Sequence, residues 1–192
     1  MVRLGEWDIS GETEFYKHVE YRVSGLYIHH DYSRKNLNND IAVIRLENLV
    51  DFASNPHITP VCLPSKQSDF TNYRCFATGW GRNTFVGSGK ISHVLKAIEV
   101  PVLEKQRCQQ ILQNTRFGVN FVLPEGNICA GEENRDTCTG DGGGPLVCQG
   151  LDGNMQLAGL LSWGIGCGQQ GIPGVYVKVS HYLDWINNIT RE

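Results

Sequence analysis

Two short stretches of this sequence hold residues whose types and spacing bear on nucleophilic catalysis. Asp40 lies in "NNDIAV", and the glycine-rich stretch "DTCTGDGGGPLVC" spans residues 136–148. A nucleophilic triad combines a nucleophile, a base and a carboxylate that orients the base, and in one chain order the carboxylate precedes the nucleophile by roughly 93 residues. Gly142 follows Asp40 at a similar spacing, about 100 residues, and has no side chain. The pattern predicts an orienting carboxylate without a nucleophile.

Histidines close to Asp40 are the candidates for the base of such a triad. In the same chain order the histidine of the triad precedes the carboxylate by about 45 residues. Counting back that far from Asp40 runs past residue 1. His18, His29 and His30 lie nearer to Asp40 in the sequence. Histidines in a surface segment of this kind are usually solvated, so we expect none of the three to act as the base.

The charge balance argues against two classes of partner. The chain of 192 residues carries 17 basic and 20 acidic side chains, a net charge of −3, and no basic run. This balance argues against binding to nucleic acid or to anionic membrane surfaces. No apolar stretch approaches the roughly 20 residues that span a bilayer.

Seven cysteines are scattered through the chain without a CxxC pair. Zinc sites usually contain ligand pairs two to four residues apart, so the spacing favours a disulfide framework formed in an oxidising compartment. We therefore expect a secreted, extracellular protein. The opening "MVRLGEWDIS" has no signal-peptide features, which suggests that the natural N-terminus lies upstream.

Short β-rich runs alternate with turn signals, a pattern typical of an all-β barrel or sandwich. The expected strands span residues 41–46, 75–81, 93–103, 144–149, 155–164 and 174–179. Helical patterning is weak until "SHYLDWINNI", residues 180–189, where an apolar stripe follows Ser180 as the expected N-cap. The chain shows no internal repeat and no flexible linker.

Six motifs carry a resemblance to a known family: "NNDIAVIRL", "VCLP", "CFATGWG", "ICAG", "DTCTGDGGGPLVC" and "SWGIGCGQQGIPGVYVKV". In this order they resemble trypsin-like serine proteases along the whole chain. The opening "VRLGEWD" and the glycine at 142 are similar to the clip-domain serine protease homologues of arthropods. The resemblance implies two six-stranded antiparallel barrels with a cleft between them and a C-terminal helix. Residues 1–192 then form one partial peptidase domain that lacks the activation site and the catalytic-histidine segment, so its N-terminal barrel is incomplete.

The resemblance also implies roles for residues around the cleft. Asp40 matches the orienting carboxylate, now vestigial, and Gly142 replaces the nucleophilic serine. Asp136 matches the floor of the primary specificity pocket, where it either pairs with a cationic side chain of a partner or is inherited and unused. The other matched positions are Ser162, Trp163, Gly164 and Gly174 in the pocket walls and peptide-binding edge, and Gly140 with Gly142 in the oxyanion hole.

By the same resemblance, six cysteines pair as Cys75–Cys148, Cys108–Cys129 and Cys138–Cys167. Cys62 then remains, and we expect a free thiol or an intermolecular disulfide at this position. In active members the aspartate that matches Asp141 pairs with the amino group released by activation cleavage. Without that group, we expect Asp141 to be exposed or paired locally.

Two further features involve possible ligands and modifications. Four acidic residues lie where some family members hold a structural calcium ion, which prefers hard oxygen ligands: Glu6, Asp8, Glu12 and Glu14. The alternative is a solvated acidic turn, and we expect no other metal or cofactor. "NIT", residues 188–190, matches an N-glycosylation acceptor, with its occupancy left open.

These features favour a secreted, non-catalytic serine protease homologue that acts as a cofactor, scaffold or adaptor in a proteolytic cascade of the innate-immune, melanisation type. Its expected partners are proteins of such a cascade, namely proteases and prophenoloxidase-like zymogens. One alternative is a serine endopeptidase of trypsin-like specificity. Another is a truncated product without a stable fold or role. Gly142 separates the non-catalytic hypothesis from the endopeptidase.

Overall fold

The computed structural model describes residues 1–11, 14–81, 91–131, 141–165 and 171–191. The strands in these ranges are β1 (Val2–Leu4), β2 (Val19–Tyr21), β3 (Val23–Ile28), β4 (Ala42–Leu46), β5 (Arg74–Gly79), β6 (Lys96–Leu103), β7 (Asn127–Ala130), β8 (Pro145–Gln149), β9 (Met155–Trp163) and β10 (Gly174–Lys178). The helices are α1 (Lys105–Gln113) and α2 (Leu183–Thr190), and a 3₁₀ turn, Val179–Tyr182, leads into α2.

Strands β5 to β10 close a six-stranded antiparallel barrel in the order β10-β7-β6-β5-β8-β9. Along β5, Cys75 and Ala77 are buried while Phe76 is exposed, because successive side chains of a strand face opposite sides of the sheet. The buried residues of the barrel interior include Val100, Val102, Ala130, Leu146, Ala158 and Tyr176. This barrel and the C-terminal helix confirm the all-β fold class.

The N-terminal part of the chain forms two separate two-stranded sheets, β1–β2 and β3–β4. In the β3–β4 hairpin, Leu26 pairs with Ile44. These two side chains are 59% and 50% exposed, and Ile28 on the same strand is 59% exposed. Apolar residues that alternate along a strand normally pack against a core. Among the described residues no second barrel closes.

The helices differ from expectation in two respects. Helix α1 was not expected, because "KQRCQQILQ" is mostly polar and buries only Cys108 and Leu112. The expected N-cap at Ser180 is wrong: Ser180 is buried in the 3₁₀ turn, and α2 begins after Tyr182 without a side-chain capping hydrogen bond. Val179 and Tyr182 are also buried, so packing of this turn on the barrel, rather than capping, sets the start of α2.

Two of the three expected disulfides lie within the described residues and are confirmed. Cys75 on β5 bonds to Cys148 on β8, and Cys108 on α1 bonds to Cys129 on β7. The second bond attaches the polar helix α1 to the barrel wall. The expected Cys138–Cys167 bond lies outside the described residues. Cys62 is unpaired and exposed within this single chain, as expected.

Two hydrogen bonds attach the N-terminal part to the C-terminal helical segment. Arg45 on β4 donates from Nη2 to the carbonyl of Ile189 at 2.6 Å, near the end of α2. The Tyr182 hydroxyl donates to Oδ1 of Asn39 at 2.9 Å. The helical segment therefore connects the barrel to the loop that carries Asp40. No helix in the described ranges has the length and apolar character needed to cross a membrane.

Candidate functional site

Asp40 and Ser162 are 122 positions apart in the sequence and meet in the structure. Asp40 lies two residues before β4, and Ser162 lies near the end of β9. Opposite Ser162 the β9–β10 ladder is irregular: Trp163 pairs with Val175 and Leu161 pairs with Tyr176, so Ser162 is the extra residue of a bulge. Bulges redirect side chains out of the regular ladder. The Ser162 hydroxyl donates to Oδ2 of Asp40 at 2.6 Å, and both residues are half-buried.

The backbone that carries Asp40 is fixed by Asn39 and Tyr182, which the sequence did not single out. Asn39 adopts a left-handed conformation, φ 54°, a region in which asparagine is enriched. Its side-chain Nδ2 donates to the carbonyl of Asp31 at 3.0 Å, and its Oδ1 accepts a hydrogen bond from the Tyr182 hydroxyl. Burial raises the pKa of Tyr182, so the hydroxyl keeps its proton and remains a donor.

None of the six histidines forms a hydrogen bond with Asp40, and the structure describes all six. His29 is half-buried rather than solvated and packs edge-on against Tyr182, with ring centroids 5.5 Å apart. Burial lowers the pKa of His29. His18 contacts Glu6, and His30 contacts Asp31. That His18, His29 and His30 do not serve as the base stays a prediction.

The glycine-rich loop after Asp141 is docked on β9 through its backbone. The amide of Gly143, at φ +83°, donates to the carbonyl of Leu161 at 2.8 Å, and the amide of Leu161 donates to the carbonyl of Gly144 at 2.8 Å. The amide of Gly144 closes a turn onto the carbonyl of Asp141. Gly142 is exposed at the tip of this turn, and a Cβ atom added there would meet nothing within 4 Å. The described residues therefore leave room for a Cβ atom at position 142.

Asp141 is paired locally, one of the two arrangements expected for it. Its Oδ1 accepts the backbone N–H of Gly81 at 2.7 Å. A Cβ atom at either Gly79 or Gly81 would overlap the Asp141 carboxylate. The two glycines of "CFATGWG" therefore make room for this side chain at the end of β5.

The residues expected in the specificity pocket are only partly described. Gly174 is buried at the start of β10, opposite Ala130 of β7, and Gly164 is exposed just after β9. Asp136 and Gly140 lie outside the described residues. Trp163 is half-buried and contacts Phe117 edge-on, with ring centroids 5.3 Å apart. No sequence signal pointed to Phe117, because its segment between α1 and β7 matches none of the quoted motifs.

Glu6 and Glu14, two of the four acidic residues near the N-terminus, are half-buried. The side chain of Glu6 is only 7% exposed; its Oε2 accepts a hydrogen bond from Arg3 at 3.2 Å and lies 3.1 Å from Nδ1 of His18, without hydrogen-bond geometry. Glu14 accepts the backbone N–H of Asp8 through Oε1 at 2.7 Å. Oε1 of Glu6 and Oε2 of Glu14 are buried without a hydrogen-bond partner.

These two oxygens fit the requirement of a calcium ion for hard ligands. Buried carboxylate oxygens normally have a partner, and each unpartnered one calls for an explanation. Asp8 does not contribute in the same way, because its Oδ1 accepts the backbone N–H and the hydroxyl of Ser10. Glu12 lies outside the described residues.

Comparison with known proteins gives one family and several close relatives. The family model described as Trypsin matches residues 1–186. The chain is 46% identical over 189 residues to "Inactive CLIP domain-containing serine protease A3" of Aedes aegypti, covering 97% of this chain and 39% of that protein. It is 42% identical over 191 residues to "Phenoloxidase-activating factor 2" of Galleria mellonella, covering 97% and 62%. It is 40% identical over 188 residues to "Inactive CLIP domain-containing serine protease A28" of Anopheles gambiae, covering 97% and 48%. The chain thus spans about half the length of these relatives.

Proposed function

Because this chain belongs to the trypsin family of serine proteases, we propose that it is a non-catalytic member in which Gly142 occupies the position of the nucleophile. Gly142 carries this proposal: it is exposed at the tip of the loop that follows Asp141, and it offers no atom for attack on a carbonyl group. Two of the relatives are named as inactive proteases, which supports the same conclusion.

The contacts of Asp40 support a vestigial rather than a catalytic role for its carboxylate. An orienting carboxylate acts by holding a histidine in the correct tautomer and orientation. Here Asp40 accepts a hydrogen bond from Ser162 and from none of the chain's six histidines. In this chain Asp40 therefore contributes to connecting the β4 segment to β9.

We propose further that the protein acts outside the cell as a cofactor or adaptor in a proteolytic cascade of the innate-immune, melanisation type. The disulfides Cys75–Cys148 and Cys108–Cys129 support an oxidising compartment. One relative is named phenoloxidase-activating factor 2, which supports proteases and prophenoloxidase-like zymogens as partners. The endopeptidase alternative is not favoured, because it requires a nucleophile that position 142 does not supply.

The catalytic part of the proposal is tested by active-site labelling and amidolysis. Removing the nucleophile of a triad lowers turnover by about 10⁶, so we expect no hydrolysis of Arg or Lys peptide substrates and no labelling by serine-directed phosphonates. Gly142→Ser should also stay inactive, because the structure places no histidine on Asp40. Gly142→Ala controls for folding, since a Cβ atom at this position meets no neighbour. Stoichiometric labelling of the unmodified chain would overturn the proposal.

The adaptor part of the proposal is tested by reconstitution. The protein is added to a purified cascade protease and its prophenoloxidase-like zymogen, and the rate of phenoloxidase appearance is measured. We expect a dose-dependent acceleration that Gly142→Ala preserves, because the effect does not depend on catalysis. No change in rate, together with no complex between the protein and either component, would contradict the adaptor role while leaving the catalytic conclusion intact.

A retained peptide-binding edge would give the adaptor a contact surface. We propose that Ser162, Trp163 and Gly164 present backbone to an extended segment, with Asp136 as the partner of a cationic side chain. Benzamidine binding tests the pocket, and Asp136→Ala should abolish it, whereas Asp152→Ala in the β8–β9 turn should not. Binding that survives Asp136→Ala would exclude Asp136 as the anchor. Absence of binding in the unmodified chain would indicate a collapsed pocket.

We also propose that calcium binds at Glu6 and Glu14. The two unpartnered, buried carboxylate oxygens support this assignment. Calcium should raise the melting temperature of the protein in a concentration-dependent way, because a ligand that binds only the folded state stabilises it. Glu14→Gln should abolish the shift, and Glu99→Gln on the surface of the barrel should not. A protein that gains no stability from calcium, or a Glu14→Gln variant that gains as much as wild type, would exclude this site.

A further inference from the structure

Three potential metal ligands follow one another where β3 ends. His29, His30 and Asp31 each offer one donor atom, and the three donor atoms lie within 4.8 Å of one another. Among the residues that the structure describes, this is the only group of at least three histidine, cysteine or carboxylate side chains with that property. We call these residues the HHD cluster. It lies away from Glu6 and Glu14 in the sequence and shares no residue with the proposed calcium site.

The backbone of the HHD cluster is held in place by hydrogen bonds. The amide of His29 donates to the carbonyl of Ile41 at 3.1 Å, and the amide of Tyr32 donates to the carbonyl of His29 at 3.0 Å. The side chain of Asn39 donates to the carbonyl of Asp31 at 3.0 Å. A fixed backbone reduces the conformational entropy that a metal site must lose when its ligands are ordered.

The side chains need only a small rearrangement to meet one ion. Nε2 of His30 already lies 3.1 Å from Oδ2 of Asp31, and both side chains are largely exposed and can rotate. The His30 ring stacks on the His29 ring at 4.6 Å, and the amide of Asp31 donates to Nδ1 of His29 at 3.2 Å. Zinc–ligand bonds are about 2.0–2.2 Å long, so tetrahedral ligand atoms lie about 3.4 Å apart and the widest donor pair must close by up to about 1.4 Å. This movement exchanges one ring stack and one long hydrogen bond for metal coordination.

We propose that the HHD cluster binds a zinc ion through His29, His30 and Asp31. Two imidazoles and one carboxylate suit zinc and related divalent transition metals, whereas calcium prefers a set of oxygen ligands. Three protein ligands leave the fourth position of a tetrahedral zinc to water or to a partner's side chain.

The position of His29 gives the bound ion a structural consequence. The His29 ring lies 5.0 Å from the Trp185 ring on α2 and 5.5 Å from the ring of Tyr182. Tyr182 in turn holds Asn39, the residue before Asp40. Zinc at the HHD cluster therefore stiffens the contact between the β3–β4 loop and α2 and alters the surroundings of Trp185.

The test uses the tag-free, metal-stripped protein and zinc chloride, with calorimetry for affinity and tryptophan fluorescence for location. We expect saturable one-to-one binding with a change in emission that Trp185→Phe removes. His30→Ala and Asp31→Asn should each weaken binding by at least about 10-fold, a loss typical of altered metal coordination. Calcium at the same concentrations should not compete with zinc, and any calcium-induced emission change should persist in Trp185→Phe.

His93→Ala is the matched control, because His93 is an exposed histidine in the segment that precedes β6. It should bind zinc like wild type. Circular dichroism of His30→Ala should match that of wild type, since the His30 side chain is 74% exposed. The proposal is overturned if the unmodified protein shows no saturable zinc binding. It is equally overturned if His30→Ala and Asp31→Asn bind zinc as tightly as wild type.

Discussion

The two parts of this chain use similar strand patterns and reach different degrees of burial. In the C-terminal part, six strands close a barrel, and Leu146, Val100 and Cys75 are fully buried. In the N-terminal part, the described strands form two hairpin-like sheets, and Leu26 and Ile44 remain at least half exposed. Alternating apolar residues thus create a core only where the sheet closes on itself.

The difference has an energetic consequence. Isolated two-stranded sheets are marginally stable in water, whereas a closed barrel leaves no unpaired strand edge. The Cys75–Cys148 bond also connects two strands of the barrel across 73 residues of sequence. We therefore expect the barrel to contribute most of the free energy of unfolding and the N-terminal sheets to contribute less.

Removal of the barrel disulfide is expected to have the largest effect. The double substitution Cys75→Ala, Cys148→Ala should lower the free energy of unfolding by about 4 kcal/mol, because the bond closes a long loop in the unfolded chain. Urea unfolding under non-reducing conditions measures this change. Cys62→Ala is the control and should be close to neutral, since Cys62 is unpaired and exposed. Equal losses in both variants would contradict a dominant barrel.

A matched pair of leucines tests the contrast in packing. Leu146→Ala removes a side chain with 0% exposure and should cost about 3 kcal/mol of unfolding free energy, within the usual range for buried leucines. Leu26→Ala acts on a side chain that is 59% exposed and should cost less than about 0.5 kcal/mol. Denaturant titration of both variants decides the matter. A large loss for Leu26→Ala would mean that the β3–β4 face is covered in solution.

Arg45 tests how strongly the two parts are coupled. Arg45→Met keeps most of the side-chain length but removes the hydrogen bond to the Ile189 carbonyl, and we expect a loss of about 1–2 kcal/mol. Hydrogen exchange should localise the loss to α2 and β4. Lys66→Met provides the comparison, because both side chains of the Lys66–Asp184 ion pair are exposed. This pair should contribute little to the free energy of unfolding. If Arg45→Met leaves exchange in α2 unchanged, the two parts are not coupled through this contact.

Two aspartates in equivalent turns give the smallest expected difference. The Thr71 hydroxyl lowers the pKa of Asp69, and the backbone amide of Thr71 adds to this effect. The hydroxyl and the backbone amide of Ser10 lower the pKa of Asp8 in the same way. A lowered native pKa stabilises the fold above the ordinary value of 3.8, and this stability is lost as the pH falls through the native pKa.

The stability deficit of Asp69→Asn should therefore be complete at neutral pH and shrink below pH 3.8. Asp69 precedes the core residue Phe70, so its turn unfolds with the barrel. Asp8→Asn should change global unfolding less, because its turn lies between β1 and β2 and meets the segment before β6 through backbone hydrogen bonds, such as that from Ile9 to His93 at 2.9 Å, that can break locally. Urea unfolding at a series of pH values compares the two. A pH-independent deficit for Asp69→Asn would exclude titration as its cause.

Local pattern was sufficient for much of the barrel and insufficient for its helices. The runs at 75–81, 155–164 and 174–179 correspond to β5, β9 and β10, because alternation and flanking turn residues act within a few positions. Helix α1 carries no comparable apolar stripe, and its place is set by the Cys108–Cys129 bond. Ser180 has the residue type of an N-cap, but burial of the 3₁₀ turn overrides that preference.

The sequence by itself determined the family, the glycine at position 142 and, through the family resemblance, the two disulfides that the described residues contain. These features depend on residue identity and on motif order, which folding does not change. The sequence also determined that a carboxylate stands at position 40 without indicating what would contact it.

Only the tertiary structure decided the partners of the functional side chains. Ser162 reaches Asp40 because a bulge in β9 displaces it from the ladder, and Tyr182 reaches Asn39 because the turn after β10 is buried. A hydrogen bond of 2.6–2.9 Å requires both groups to be positioned to within a fraction of an ångström. Strand register and packing set positions of that accuracy across more than a hundred residues, and no local pattern encodes them.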